Sequence, residues 1–293
     1  MKRYISIDIG GTAIKYGTIS EAGVLLSRSE IPTEAKKGGY AILEKIIKII
    51  SEFVNEEQYS GICVSTAGMV DTKKGEIIYS APLIPDYTGV KIKKTLEECF
   101  RIPCEVENDV NCAGLAESIC GAGKECNPVL MLTIGTGIGG CLIIDGQVYH
   151  GFGNSACEFG YMPMRGSDFQ TLGSASALVR KVASQKQEPE EMWNGYRIFE
   201  EAKQKDAICV AAIDEMVDIL GLGIANICYV VSPQMVVLGG GIMAQEEYLK
   251  DRIRDALDRY LLSKLASQTR IAFAMNKNDA GMLGAFYHFQ SYH

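Results

Sequence analysis

The sequence predicts an α/β fold in which one topology occurs twice. At two places, residues 5–12 and 130–140, a short apolar strand runs into a glycine turn that carries a threonine. Segments with strand and helix patterns alternate along the chain, which is typical of α/β layers. A length of 293 residues suits two domains, at about 150 residues each. Together these observations favour two related domains over a single Rossmann sheet.

In the first half, three strands come before the first helix, which has a regular isoleucine face over residues 40–54. The expected elements of this half are strands at 4–9, 13–19, 24–29, 62–65, 75–79 and 104–107, helices at 40–54, 90–100 and 109–119, and a loop at 81–90.

The second half repeats this order. The expected elements are strands at 129–134, 140–144, 147–149, 235–238 and 270–274, helices at 174–184, 196–203, 208–231, 246–261 and 280–289, and an irregular segment at 151–171. The apolar run 216–231 is shorter than the ~20 residues that a membrane span needs. It therefore predicts a buried helix, with no membrane partner.

Charge and cysteine content narrow the class of protein further. The net charge is −7 and the pI about 5.2, which argues against nucleic-acid binding through Lys and Arg contacts to phosphates. The ten cysteines form no Cys-x-x-Cys pair, and several lie in apolar segments. Buried free thiols fit a reduced protein. The chain also enters a strand without an apolar signal segment, so we expect a cytoplasmic protein.

The two glycine turns are candidate phosphate sites, because successive backbone N–H groups in a turn bind anions. Their residues are Gly10, Gly11 and Thr12 in the first half and Gly135, Thr136 and Gly137 in the second. Asp8 directly precedes the first turn, and Lys15 follows it. A carboxylate there can hold Mg²⁺ near nucleotide phosphates, directly or through water. A turn-initiating Asp is the alternative.

Two carboxylates and an amide follow one another at Glu107, Asn108 and Asp109, where a strand leads into a helix. Helix capping by Asn108 or Asp109 explains one of these residues. The functional hypothesis makes Asp109 a general base that takes a proton from an attacking hydroxyl. Asn108 would then hydrogen-bond a neighbouring hydroxyl.

Two weaker signals lie in the second half. Gly239, Gly240 and Gly241 follow an apolar strand, and the entropic cost of three glycines favours the approach of a flat ligand such as adenine over a flexible turn. Glu158 lies among small residues and can accept hydrogen bonds from sugar hydroxyls. A surface loop charge is the alternative for Glu158.

Taken together, these motifs resemble the ROK family of bacterial sugar kinases and repressors. The matching segments are 8–12 with Lys15, 107–111, 133–140 and 239–241, and their order covers almost the whole chain. The resemblance implies an actin-like ATPase fold (hexokinase/RNase H-like), with duplicated βββαβα domains around a cleft. The domains expected are a smaller one at 1–110 plus 279–293 and a larger one at 111–278. ATP with Mg²⁺ as phosphoryl donor and a homodimer are also implied.

The resemblance carries roles onto individual residues. Asp109 matches the catalytic base, and Gly135, Thr136 and Gly137 match the second phosphate turn. The residues expected to contact sugar are Gly68, Asn108, Asp109, Glu158 and Tyr161.

The chain departs from the family at its usual zinc segment, a histidine followed by Cys-x-Cys-Gly-x-x-Gly-Cys. Tyr161 stands in place of the histidine, and residues 164–171 contain no cysteine. Structural zinc needs Cys or His ligands, so we expect none. Gln170 stands where the family usually has a second sugar-binding glutamate. No helix-turn-helix segment precedes the first strand, which favours an enzyme over a repressor.

The substrate stays open between related sugars. Segments 65–71 and 82–87 are similar to zinc-free N-acetylmannosamine kinases, whereas 158–162 also resembles β-glucoside kinases and glucokinase-like relatives. The leading hypothesis is phosphorylation of a hexose or N-acetylhexosamine 6-hydroxyl, with N-acetylmannosamine as the best candidate and glucose or a β-glucoside as alternatives. A sugar-binding regulator without catalysis and an actin-like or chaperone-type ATPase are the competing classes.

Overall fold

The computed structural model describes residues 2–80 and 82–293, which form two compact units. The first unit comprises the residues up to Ala116, Val148–Ala156 and Asn278–His293, and the second comprises Glu117–Gln147 and Cys157–Lys277. The sequence predicts boundaries at 110 and 278, and therefore assigns 148–156 to the larger domain. In the structure that segment packs with the first unit instead.

The strands are β1 (Arg3–Ile9), β2 (Ala13–Ser20), β3 (Leu25–Pro32), β4 (Gly61–Thr66), β5 (Met69–Asp71), β6 (Glu76–Tyr79), β7 (Cys104–Asn108), β8 (Val129–Ile134), β9 (Ile138–Ile144), β10 (Gln147–Val148), β11 (Pro163–Met164), β12 (Ser167–Asp168), β13 (Met235–Gly239) and β14 (Arg270–Phe273). The helices are α1 (Gly39–Val54), α2 (Ile92–Phe100), α3 (Asp109–Cys120), α4 (Phe169–Gly173), α5 (Ala175–Lys186), α6 (Gly195–Lys203), α7 (Ala207–Val231), α8 (Glu246–Tyr260), α9 (Ser263–Ala266) and α10 (Ala280–Gln290). Short 3₁₀ turns lie at Ala35–Lys37, Phe159–Tyr161, Glu190–Met192, Gly241–Ala244 and Lys277–Asp279.

The sheet of the first unit has the strand order β3-β2-β1-β4-β7. The β1–β2 and β2–β3 pairs are antiparallel, and β4 and β7 add in parallel. Alternate residues of β1 point to opposite faces of the sheet. Ile5, Ile7 and Ile9 pack in the core with α1 and α2, whereas Tyr4 packs with α10 and Ser6 donates to its Met282 carbonyl at 2.7 Å.

The second unit repeats this arrangement. Its sheet has the order β10-β9-β8-β13-β14, again with an antiparallel β8–β9 pair and parallel additions of β13 and β14. One apolar core fills the space between this sheet and the helices, and Phe169, Leu220 and Val236 are fully buried in it. The sequence prediction of two copies of one topology is confirmed.

The observed elements differ from the expected ones mainly in short segments. The irregular segment 151–171 contains the hairpin β11–β12 and the start of α4, which are too short for a periodic signal. Strand β5 and helix α9 are likewise short and were not expected. Helix α2 begins at Ile92 rather than at 90, and β9 begins at Ile138 because this residue already pairs with Ile134. Of the predicted loop 81–90, residue 81 lies outside the described residues.

The predicted apolar helix is largely buried, and the cysteines are free thiols. Helix α7 contains the apolar run 216–231, and its residues from Met216 to Cys228 are mostly buried. None of the described helices has the length and apolarity to cross a membrane. All ten cysteines are free thiols, and six of them are buried.

Helix α10 packs so closely on α3 that one of its glycines leaves no room for a side chain. A Cβ at Gly284 would lie 1.8 Å from the Cys112 carbonyl oxygen. We expect Gly284→Ala to lower the free energy of unfolding by about 1–3 kcal/mol, because the overpacking cost exceeds the gain in helix propensity. Urea unfolding measures the change, and equal or greater stability would contradict this packing.

Candidate functional site

The junction of β7 and α3 is held by the side chain of Asn108. Its Oδ1 accepts hydrogen bonds from the backbone N–H groups of Val110 (2.9 Å) and Asn111 (3.1 Å), so Asn108 caps the helix. Its Nδ2 donates to the Gly68 carbonyl at 2.9 Å and to Asp109 Oδ1 at 3.1 Å. The capping interpretation and the proximity to Gly68 and Asp109 therefore apply to the same side chain.

Asp109 is the first residue of α3, and the pKa of its carboxyl group is strongly raised. Its Oδ1 also accepts the Val110 N–H at 2.9 Å. The residue keeps some solvent access, but the surrounding protein desolvates the carboxylate. Burial and, next, the negative charge of Asp8 raise the pKa of Asp109 to about 7, although the hydrogen bonds from Val110 and Asn108 act in the opposite direction.

Asp8 is the last but one residue of β1 and lies beside two polar partners. Ser65 on the neighbouring strand donates to Asp8 Oδ1 at 2.7 Å, and Lys15 Nζ lies 3.5 Å from Oδ2. A Cβ at Gly281 of α10 would lie 2.4 Å from this carboxyl group. Glycine at 281 thus allows the helix to approach Asp8 closely.

The first glycine turn connects β1 to β2. Gly10 N–H donates to the Ala13 carbonyl at 3.1 Å, and the hydroxyl of Thr33, the residue after β3, donates to the Gly10 carbonyl at 2.6 Å. Gly11 and Thr12 are exposed, and a Cβ at Gly11 would enter open space. The packing of the chain does not require a glycine at 11, which fits a backbone kept bare for a ligand.

Glu107 has a different environment from Asp109, two residues further on. It is buried, and His150 Nε2 lies 2.6 Å from its Oε2. Burial opposes its charge most strongly, but the His150 hydrogen bond and the charges of His288 and His150 outweigh it, so the pKa of Glu107 is lowered. In the sequence, Glu107 belongs to the predicted motif without a role of its own, and His150 gives no signal, because nothing in a sequence links partners 43 positions apart.

The second unit contains a cavity of about 520 Å³, which is within the usual range for small-molecule sites. The predicted residues Gly135, Thr136 and Gly241 lie in its wall. Its other lining residues are Ala175, Ser176, Val179, Glu190, Trp193, Asn194, Gly195, Tyr196, Phe199, Ile242, Ala244 and Gln245. The wall therefore combines apolar and aromatic surface with a few polar groups.

The glycines around this cavity differ in whether the fold requires a glycine at their position. A Cβ at Gly135 or Gly241 would enter open space, as at Gly11. Gly240 is required by its backbone, since its φ is +100° and a Cβ would lie 2.2 Å from the Ile134 carbonyl oxygen. Gly239 ends β13 beside Met131, and neither Gly239, Gly240 nor Gly137 lines the cavity.

The remaining predicted residues of the second unit lie around the 3₁₀ turn Phe159–Tyr161. Glu158 and Tyr161 are exposed, in agreement with an accessible position. Gln170 Oε1 would lie 2.5 Å from a Cβ at Gly137 and 3.0 Å from one at Gly160. Gln170 is therefore packed against the second glycine turn.

Within residues 2–80 and 82–293, no three or more Cys, His, Asp or Glu side chains come together as a metal site. The expected absence of zinc stays a prediction. For Mg²⁺ the residues fit a shared site, since a single carboxylate such as Asp8 suffices when nucleotide phosphates supply further ligands.

Two copies of one five-stranded sheet, each with a glycine turn after its first strand, define an actin-like ATPase fold. The chain belongs to the ROK family, whose family model matches residues 4–291. The recognition of this family from the sequence motifs is confirmed.

Similar proteins cover nearly the full chain. An uncharacterized protein of Clostridium perfringens is 52% identical over 99% of this chain and 98% of its own. The β-glucoside kinase of Listeria monocytogenes is 32% identical over 97% and 96%.

Solved structures are similar over the same extent. A Listeria monocytogenes protein described as a proposed N-acetylmannosamine kinase has 30% identity and a TM-score of 0.89, covering 99% of both chains. A ROK family glucokinase from Streptomyces griseus, in complex with glucose and AMPPNP, has 27% identity and a TM-score of 0.83, covering 97% of both chains.

The pKa of Asp109 gives a test that needs no substrate. We expect a midpoint of about 7 in a ¹³C-carboxyl NMR titration. Asp8→Asn should lower it, because removal of a nearby negative charge favours the ionised form. Asp71→Asn, which removes a carboxylate paired with Lys74, serves as the control and should leave the midpoint unchanged. A midpoint near 4 in the wild type would show that Asp109 is not desolvated.

Proposed function

We propose that the protein is an ATP-dependent carbohydrate kinase that phosphorylates the 6-hydroxyl of a hexose or N-acetylhexosamine. The observation that carries this proposal is the position of the Asp109 carboxyl group at the start of α3, where Asn108 donates both to it and to the Gly68 carbonyl. Its pKa of about 7 suits a general base at neutral pH. Family membership and sugar-kinase relatives support the same reaction class.

In the proposed reaction, Asp109 accepts the proton of the sugar hydroxyl. The hydroxyl oxygen then forms a bond to the γ-phosphorus of ATP, the bond from this phosphorus to the β,γ-bridging oxygen breaks, and ADP leaves. Phosphoryl transfer depends mainly on positioning and charge stabilisation. Asn108 supports the base by donating to Asp109 Oδ1 and by fixing the start of α3.

The cavity of the second unit is the proposed nucleotide site. Its apolar wall, including Trp193 and Ile242, suits a flat base, and the open backbone at Gly135 and Gly241 suits a close ligand. The Gly10–Thr12 turn with Lys15 is the proposed second contact for the phosphates. Asp8 would hold the Mg²⁺ that accompanies ATP, directly or through water, and this ion would neutralise charge on the phosphate oxygens.

The sugar contacts proposed are Gly68, Asn108, Glu158 and Tyr161, together with Asp109. N-acetylmannosamine is the first candidate substrate, in line with the structural neighbour proposed to be its kinase. Glucose and β-glucosides are the alternatives, and the named β-glucoside kinase and glucokinase relatives support them. Gln170, in place of the family's second glutamate, is expected to bear on this choice.

We expect Asp109→Asn to lower kcat by about 10²–10⁴-fold, because the amide cannot accept the proton. Sugar binding should be largely retained. A kcat above a tenth of the wild-type value would rule out Asp109 as the base.

The same substitution should change how stability depends on pH. A raised carboxyl pKa favours the protonated form, so the wild type loses stability as pH rises from the unfolded pKa value to about 7. Asp109→Asn lacks this loss and should be the more stable protein at pH 8, as measured by urea unfolding.

A coupled ADP-release assay over N-acetylmannosamine, glucose and a β-glucoside tests the substrate. We expect N-acetylmannosamine to give the highest kcat/KM, because a few polar pocket contacts set sugar specificity; a higher value for glucose or the β-glucoside would favour that alternative. A sugar-free reaction is the control. ATP hydrolysis that does not depend on sugar would favour the ATPase class, and sugar binding without turnover would favour a regulator.

A further inference from the structure

All three histidines of the chain lie next to carboxylates of a single strand. His150 contacts Glu107 at 2.6 Å, His288 Nδ1 lies 3.6 Å from the same carboxylate, and His293 contacts Glu105 at 3.1 Å. Glu105 and Glu107 belong to β7, and all five residues are in the first unit. This strand ends at Asn108, immediately before Asp109.

The Glu107 carboxylate binds the start of α3 with one oxygen. Oε1 accepts the Asn108 backbone N–H at 2.6 Å and the Asn111 side-chain amide at 3.0 Å. Its other oxygen, Oε2, accepts from His150. The buried Glu107 carboxylate thus binds Asn108 before Asp109 and Asn111 after it.

We propose that Glu107 is a positioning residue for Asp109, and that His150 holds Glu107 in place. The inference rests on the proposed function, in which Asp109 is the base. Glu107 is 1% exposed, so it acts through Asn108 and Asn111 and has no direct access to a substrate. His150 extends the network to the segment Val148–Ala156, where its carbonyl accepts the Ala156 N–H at 3.2 Å.

The distances to Glu107 Oε2 favour His150 as its main histidine partner, since His150 Nε2 lies at 2.6 Å and His288 Nδ1 at 3.6 Å. The hydrogen bond to Glu107 raises the pKa of His150, whereas burial lowers the pKa of His288 despite the nearby charges of Glu107 and Glu105. His288 Nε2 is buried without a hydrogen-bond partner among the described residues. His150 is therefore the partner whose loss leaves the Glu107 charge without its short hydrogen bond.

The chain offers a matched control on the same strand. His293 forms a comparable contact with Glu105, but Glu105 is also bound by Lys93 at 2.7 and 2.8 Å. Loss of His293 therefore removes a histidine–glutamate contact of β7 without disturbing the start of α3.

The experiment compares His150→Ala, His150→Gln and His293→Ala under saturating ATP and sugar. His150→Ala should lower kcat about tenfold with KM values within about twofold, because small displacements of a catalytic group chiefly affect the chemical step. His150→Gln should recover part of this loss, since its amide can donate to Glu107. His293→Ala should match the wild type. Glu107→Gln should lower kcat further, and His150→Ala decides the question if Glu107→Gln does not fold.

Hydrogen exchange of the amides at 108–111 gives a readout that needs no turnover. We expect faster exchange there in His150→Ala and wild-type exchange in His293→Ala. Unchanged kcat and unchanged exchange in His150→Ala would overturn the positioning role, as would an equal effect of both histidine variants. If the wild type phosphorylates no sugar, the proposed function fails, and the exchange data still decide whether Glu107 and His150 fix the start of α3.

Discussion

The cap on α3 is the interaction on which the first unit's candidate site depends. A helix N-terminus leaves backbone N–H groups without partners, and here Asn108 Oδ1 accepts two of them. The amide nitrogen of the same side chain is thereby oriented towards Gly68 and Asp109. Local helix formation and the arrangement of the site consequently depend on the same side chain.

The pKa values of Asp109 and Glu107, two residues apart, are shifted in opposite directions by their surroundings. Asp109 is desolvated beside another negative charge, so its proton is held more tightly. Glu107 is at least as buried, but imidazole and amide donors surround it, so its charged form is favoured. A division of this kind separates a group that exchanges protons from one that keeps its charge.

Much of the fold could be predicted from the sequence because its signals are local. The isoleucine alternation in β1 and the apolar face of α1 specify which surfaces are buried, and the repeated glycine turns reveal the duplication. The hairpin β11–β12 and helix α9 are too short to give a periodic pattern. Asn108 and Asp109 could be found from their neighbours, but the link from Glu107 to His150 joins distant segments and only the folded chain brings it about. The inclusion of Val148–Ala156 in the first unit escaped prediction for the same reason.

The confinement of the imidazoles to the first unit has a practical consequence. His150, His288 and His293 are the only histidines in the sequence, and none belongs to the unit that contains the 520 Å³ cavity. Their ring protons therefore serve as native spectroscopic reporters for one half of the molecule. Resonances from these rings that shift on addition of a ligand would show that the ligand affects the first unit, without any introduced label.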